Sequence, residues 1–495
     1  MLKKIFESTL IMGASSAVVM AMHLVRVKVL AVFLGPSGVG TLSVLNHFHT
    51  LAATVIGLGL GTGIVKYTAT FKNQRDEESV QGILSNSFQI VFLFSVIALL
   101  LVVILRSQIS IWILGDPGYG VFVIIYAFSL PLAVYPSTTN SFLQGLKRIR
   151  ALAKINVLRT FISLMFVIPL VFFFRLEGAV ASVLVITTVH LLLNKYYLGK
   201  EANNYRATLR MPFDPGLVRK LLQYGMTSLF VGTAYYSSHL LLNIIIVDSL
   251  GLEMNGIYQP IWALTMTYLT FVLSSMSAYS YPRLCEMTSD RDIREELNGI
   301  LRVAVLLITP VMFFLLLGRR PLIQILYSRS FLEAAEYMPI QIMGDFFKLL
   351  CWCVGMYLLP TKRLITFILL NLLQDILLVL FAALLVKRYQ LYGITTAFAL
   401  SYVIAFVAFY WSCKRQIGFA LWGRNKKLLI CSFTALAAII ISGRYLALLP
   451  YITVVVLVIL CWSFLSVKRE EVGQVMEYLS RRLGDILHTF TPGSP

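Results

Sequence analysis

Apolar stretches of about twenty residues follow one another almost without pause along this chain, each parted from the next by a short charged loop. A bilayer core about 30 Å thick is crossed by about 20 apolar residues in helical form. Lipid offers no partner to a bare peptide group, so the crossing segments must be helices or a closed barrel. The runs are too long for barrel strands, and they predict an all-α polytopic membrane protein. Spans are expected near residues 9–33, 42–65, 83–105, 120–142, 153–174, 178–198, 221–247, 256–280, 301–317, 339–359, 364–386, 391–411, 428–446 and 449–467, or about 14 transmembrane helices. Of 495 residues, 58% are hydrophobic and 13% charged. A soluble domain carries roughly 25% charged residues.

The net charge of +19 would suit a nucleic-acid binder, but the basic residues sit in short clusters between apolar runs. No basic helix or zinc-ligand pattern accompanies them, which excludes that class. Thirty of the 42 Lys and Arg residues fall at the N-terminus, in alternate loops and in the tail, against eight in the opposite loops. The positive-inside rule then places both termini in the cytoplasm. Lys3 and Lys4 precede an apolar run without an A-x-A-type cleavage site, so the first span is expected to stay uncleaved. The six cysteines show no disulfide or metal-ligand spacing. The tail 468–495 repeats Val472, Val475, Met476, Leu479 and Leu483 at helical spacing, as expected of an amphipathic cytoplasmic helix on the membrane surface.

The chain repeats itself with a shift of 215 to 217 residues. His23-Leu24 returns as His239-Leu240, and Leu34-Gly35 with Gly40 as Leu250-Gly251 with Gly256. Lys147-Arg148 matches Lys362-Arg363, and Leu176-x-Gly178 matches Leu391-x-Gly393. The shift spans six helices, an even number, so both copies insert the same way up. This predicts two parallel-repeat six-helix bundles: an N-terminal lobe 1–200, a C-terminal lobe 217–412, and two additional helices over 428–467. Transporters of this build hold cargo between their halves and rock around it.

Several stretches resemble the polysaccharide-export branch of the MOP (MATE-like) superfamily, closest to Wzx-type flippases for O-antigen and enterobacterial common antigen units. They are LGPSGVGTLSVL (Leu34–Leu45), GLGLGTGIVKYTATF (Gly57–Phe71), GIYQP with SAYSYPRL and SDRDIREEL (within Gly256–Leu297), and SFLEAAEYMPIQIMGDFFKLL (Ser330–Leu350). The resemblance implies a flippase that carries an undecaprenyl-diphosphate-linked oligosaccharide from the cytoplasmic to the periplasmic leaflet by alternating access. It also implies the glycan polymerase and chain-length machinery as partners. The two C-terminal helices depart from the twelve-span pattern.

Ionisable residues inside the spans are the site candidates, because a charge at the bilayer centre costs about 2.5–3.5 kcal/mol on insertion scales. His23 and Arg26 share one face of the first span, while Lys28 turns away. All three are expected to bind an acidic cargo, with snorkelling to the interface as the competing reading for Arg26 and Lys28. His239, matched to His23 by the repeat, is expected to face it across the pseudo-axis. Arg159 is a further substrate-binding candidate, or neutralises Asp375. Asp375, Asp345 and Lys348 are the coupling-ion candidates, with Asp345 and Lys348 expected to pair. Gly57, Gly59, Gly61 and Gly63 lie within a span and are expected to serve close packing or bending.

No Walker-type motif is present, so secondary transport without a cofactor is expected, coupled to H+ or Na+ or driven by the substrate gradient. An enzyme such as a polysaccharide polymerase or ligase would present an acid–base constellation on a sizeable loop, and none is found. A MATE-type multidrug antiporter would favour carboxylates in the N-terminal half, where cations stand instead. A lipid II flippase is the nearest rival.

Overall fold

The computed structural model describes residues 2–202, 205, 211–445 and 448–466. The chain there forms twelve α-helices: α1 (Leu2–Ile56), α2 (Leu60–Asn73), α3 (Glu77–Ile104), α4 (Arg106–Leu114), α5 (Gly120–Gly145), α6 (Ile149–Glu201), α7 (Pro215–Glu286), α8 (Asp290–Leu326), α9 (Ala334–Gly355), α10 (Leu364–Ile417), α11 (Gly423–Tyr445) and α12 (Leu448–Ser466). Among the described residues there is no strand. Eight helices are long and apolar enough to cross a membrane, and Pro450–Ser466 is a shorter apolar helix. The chain is thus a multi-pass membrane protein. The expected amphipathic tail lies outside the described residues.

Four helices are far longer than one crossing. The 53 residues of α6 would run about 80 Å if straight, at about 1.5 Å per residue. Each of the four carries one residue outside the helical region: Gly35 in α1, Arg175 in α6, Gly251 in α7 and Gln390 in α10. At these points the chain doubles back. A side chain at Gly178 would strike the carbonyl of Leu170, and one at Gly393 that of Leu385; in a straight helix residues eight apart are separated by about 12 Å. Likewise Gln259 donates to the Oδ1 of Asn243 at 3.3 Å across the break at Gly251.

The internal repeat is written into these breaks. Gly35 and Gly251 share positive φ with extended ψ (65°, −174° and 88°, 170°). Arg175 and Gln390 adopt 48°, −122° and 52°, −134°. Lys147 and Lys362, matched in the sequence, both have φ of 59°. Side chains rarely take positive φ, so three such coincidences at one shift report two copies of one architecture.

By compactness the chain divides into two units. The first holds residues 1–264, 319–338 and 364–405, and the second 265–318, 339–363 and 406–495. In the first, the second limb of α1 runs along α7 around its break and the following α2 along the first limb of α7, with small residues at the seam. Gly40 lies against the backbone of Leu252 and Gly256, Gly256 against Pro36, Gly59 against Gly225, and Gly63 against Leu221. Asn255 Nδ2 donates to the Gly40 carbonyl at 3.0 Å. Backbones this close leave no room for a Cβ, as in membrane helix pairs with small-residue contacts. Two apolar clusters fill the same unit: Leu60, Ile83, Phe142, Ile155 and Leu221 among them in one, and Leu45, Val123, Val171, Val180 and Leu240 in the other.

The linker after α6 is tied to α3 at its described residues. Gln89 Nε2 donates to the Met211 carbonyl at 2.7 Å, and the Asp214 N–H donates to Asn86 Oδ1 at 2.7 Å. Tyr205 donates to Glu77, whose other oxygen pairs with Lys72 at 2.5 Å.

In the second unit α11 and α12 are tied to α8. Asn425 donates to the Asn298 carbonyl at 2.9 Å, and Arg302, at the start of the expected span 301–317, is buried and donates to the Ser466 carbonyl at 3.2 Å. The helices overrun the predicted spans because apolar content marks the lipid crossing and not the ends of the hydrogen-bond ladder.

Gly256→Ala is expected to cost about 1–3 kcal/mol through overpacking, seen as a lowered unfolding midpoint of the purified protein in detergent. Gly299→Ala, where a methyl meets open space, should leave the midpoint unchanged or raise it.

Candidate functional site

A cavity of 140 Å³ opens between the first limb of α1 and both limbs of α6. It is lined by Met22, His23, Arg26, Arg159, Thr160, Ser163, Leu164 and Ile186. Three of the five substrate-binding candidates, His23, Arg26 and Arg159, therefore meet in one place. The face shared by His23 and Arg26, three residues apart, is what aims both into it. The guanidinium groups of Arg26 and Arg159 are near enough to act on each other and on His23. No acidic residue lines the cavity. Arg26 Nε and Ser163 Oγ are buried there without a hydrogen-bond partner. Two cations facing one hollow, with donors left open, are the electrostatic complement of an anion.

Arg26 also lines a second cavity, of 240 Å³. Its walls include Ser43, Asn46, His47, Tyr126, Gln259 and Tyr327. These neutral polar residues escape a search for charges inside spans. Their signal is the recurrence of Ser43, Asn46 and His47 at helical spacing within an apolar run, which puts amides and hydroxyls on one face.

Lys28 and His239 stand apart from both cavities. Lys28 donates from Nζ to the Gln324 carbonyl at 2.8 Å, so it is engaged within the protein. His239 is buried between Tyr235 and Trp262, with ring centroids 4.4 and 4.2 Å away. The imidazole beside it is that of His47, at 6.5 Å. His47 lies on the limb of α1 that packs along α7, whereas His23 lies on the other limb and lines a different space. The repeat relates His23 to His239 without bringing them together.

The coupling candidates have partners that spacing alone does not reveal. Asp375 is buried and accepts from Ser238 Oγ at 3.1 Å; Arg159 instead joins the cationic cavity. Asp345 is fully buried and accepts from the Tyr268 hydroxyl at 2.8 Å. Its neighbour Lys348 acts on it electrostatically and also lies 4.0 Å from the Met266 sulfur. Asp345 Oδ1 and both amide atoms of Gln341, one turn earlier on α9, are buried without hydrogen-bond partners. Among the described residues no cluster of His, Cys, Asp and Glu could hold a metal ion.

The chain shares its fold with solved transporters of the MOP superfamily. An inward-facing multidrug resistance MATE family transporter superposes with a TM-score of 0.69 at 15% identity, covering 79% of this chain and 92% of that one. Lipid II flippase MurJ, in an inward closed conformation, superposes with a TM-score of 0.67 at 13% identity, covering 92% and 98%. More narrowly, the polysaccharide biosynthesis protein family matches residues 29–336, and the chain belongs to that family. The lipid III flippase of Escherichia coli (strain K12) is 24% identical over 404 residues, 81% of this chain and 96% of that protein.

Tyr268→Phe removes a donor from a buried carboxyl and is expected to lower stability by about 1–3 kcal/mol. Thermal unfolding in detergent should show the loss, and adding Asp345→Leu to the same chain should recover part of it.

Proposed function

We propose that this protein is a flippase for an undecaprenyl-diphosphate-linked oligosaccharide, moving it from the cytoplasmic to the periplasmic leaflet of the inner membrane by alternating access. One observation carries the reading: Arg26 and Arg159 face one cavity that contains no acidic residue. Buried like charges repel, and each is costly in lipid, so such a pair is sustained when an anion is the cargo. A diphosphate supplies two phosphoryl groups, each able to accept charge-assisted hydrogen bonds from a guanidinium. The unpartnered Arg26 Nε and Ser163 Oγ are donors that such an anion would satisfy. His23 extends the positive wall when protonated and donates a single hydrogen bond when neutral.

In this reading the lipid tail stays in the bilayer while the polar head crosses through the cavities. Membership in a polysaccharide biosynthesis family and likeness to a lipid III flippase support a glycan-bearing lipid. A cation-drug antiporter would need carboxylates at the cavity, and its walls hold none. The protein performs no bond chemistry; Asp375, held by Ser238, and Asp345 are the residues assigned to ion coupling. Both termini are placed on the cytoplasmic side.

A strain lacking the protein is expected to accumulate lipid-linked repeat units in the cytoplasmic leaflet and to lose surface glycan. Arg26→Ala and Arg159→Ala should each reduce surface glycan at least tenfold at normal protein level, since a charged hydrogen bond is worth about 1.5–3 kcal/mol. Normal surface glycan in both variants would remove the cationic cavity from the transport path.

A further inference from the structure

We propose that the 240 Å³ cavity that also borders Arg26 seats one uncharged sugar ring, the ring bonded directly to the diphosphate. This rests on the flippase reading and adds a residue-level specificity site to it.

The argument begins with which polar atoms face the cavity unspent. His47 Nδ1 lies 2.8 Å from the Ser43 carbonyl. A carbonyl only accepts, so Nδ1 carries the proton and Nε2 is left as an acceptor. The Tyr126 hydroxyl donates to Asn46 Oδ1 at 3.2 Å, which occupies that oxygen and leaves the Asn46 amide N–H groups as donors. Gln259 spends its Nε2 on Asn243 Oδ1 and on the Asn255 carbonyl, each at 3.3 Å, so its Oε1 is left as an acceptor. Ser43 Oγ also donates to Asn243 Oδ1, at 3.2 Å, fixing the orientation of the amide that orients Gln259. The wall thus presents oriented donors and acceptors in alternation, set by contacts behind them.

Sugar hydroxyls both donate and accept, and the faces of a pyranose are apolar. Fixed donors and acceptors beside aromatic rings match that chemistry. Tyr126 and Tyr327 supply the rings, the second held against Phe331 at 5.3 Å. The cavity, 240 Å³ in volume, is of a size to take a sugar ring. No acidic residue lines it, and its one cation is Arg26.

Covalent connectivity then assigns which ring it is. The first sugar is joined through its anomeric oxygen to the terminal phosphate. A phosphate on Arg26 therefore brings that ring to a cavity that also borders Arg26. The smaller cavity, with Arg159 and His23, takes the phosphates, and the larger takes the ring.

The test uses the full-length protein in nanodiscs with two probes: undecaprenyl diphosphate, and undecaprenyl diphosphate bearing one N-acetylglucosamine. The native protein is expected to bind the glycosylated probe about tenfold more tightly, the worth of one or two well-placed hydrogen bonds. In Asn46→Leu and in Gln259→Met that ratio should fall to about one, and the remaining affinity for undecaprenyl diphosphate reports that each variant is folded. Arg159→Ala should weaken both probes together and keep the ratio. A ratio of one in the native protein, or an undiminished ratio in both cavity variants, overturns the sugar seat alone. Failure of the native protein to bind either probe overturns the flippase reading along with it.

Discussion

Two backbones lying too close for a side chain hold this architecture together. The second limb of α1, with α2 after it, and α7 on both sides of its break meet through Gly40, Gly256, Gly59 and Gly225. Water does not drive helices together in lipid, so close packing and backbone hydrogen bonding must supply the attraction. The Asn255 bond to the Gly40 carbonyl is one such contact. The polar residues that border the larger cavity, Ser43, Asn46 and His47 on one helix and Gln259 beyond the turn of the other, take their positions from that seam. A shift of a few tenths of an ångström there would misplace all of them.

Much of the fold was legible because lipid narrows the options. Apolar runs mark crossings, and the repeat at 215 to 217 residues returns in the matched dihedrals at Gly35 and Gly251 and at Arg175 and Gln390. Helix ends were less legible. α8 starts at Asp290, although the span was expected only from residue 301, because the charged turns from Asp290 to Glu296 read like a loop.

The site was legible where a charge stood inside an apolar run and obscure where partners came from distant helices. Arg26 and Arg159 could each be singled out alone, but their meeting depends on how α6 doubles back at Arg175. His239 was misplaced opposite His23, since a repeat relates positions by rotation and says nothing of contact; His47 is its neighbour. Lys28 carried the same signal as Arg26, yet its ammonium is occupied by the Gln324 carbonyl. The neutral wall of the larger cavity gave the weakest signal, because one Asn or Gln in a span costs far less than a charge and draws less notice.

Arg26 lines two hollows, one with a second cation and one whose other polar walls are neutral. A guanidinium common to both makes them thermodynamically linked: whatever draws it toward one side alters what the other can hold. Such linkage is reciprocal, so each compartment must favour or oppose filling of its neighbour by the same factor. A single side chain can in this way make acceptance of one end of a long molecule conditional on the chemistry of the adjoining piece.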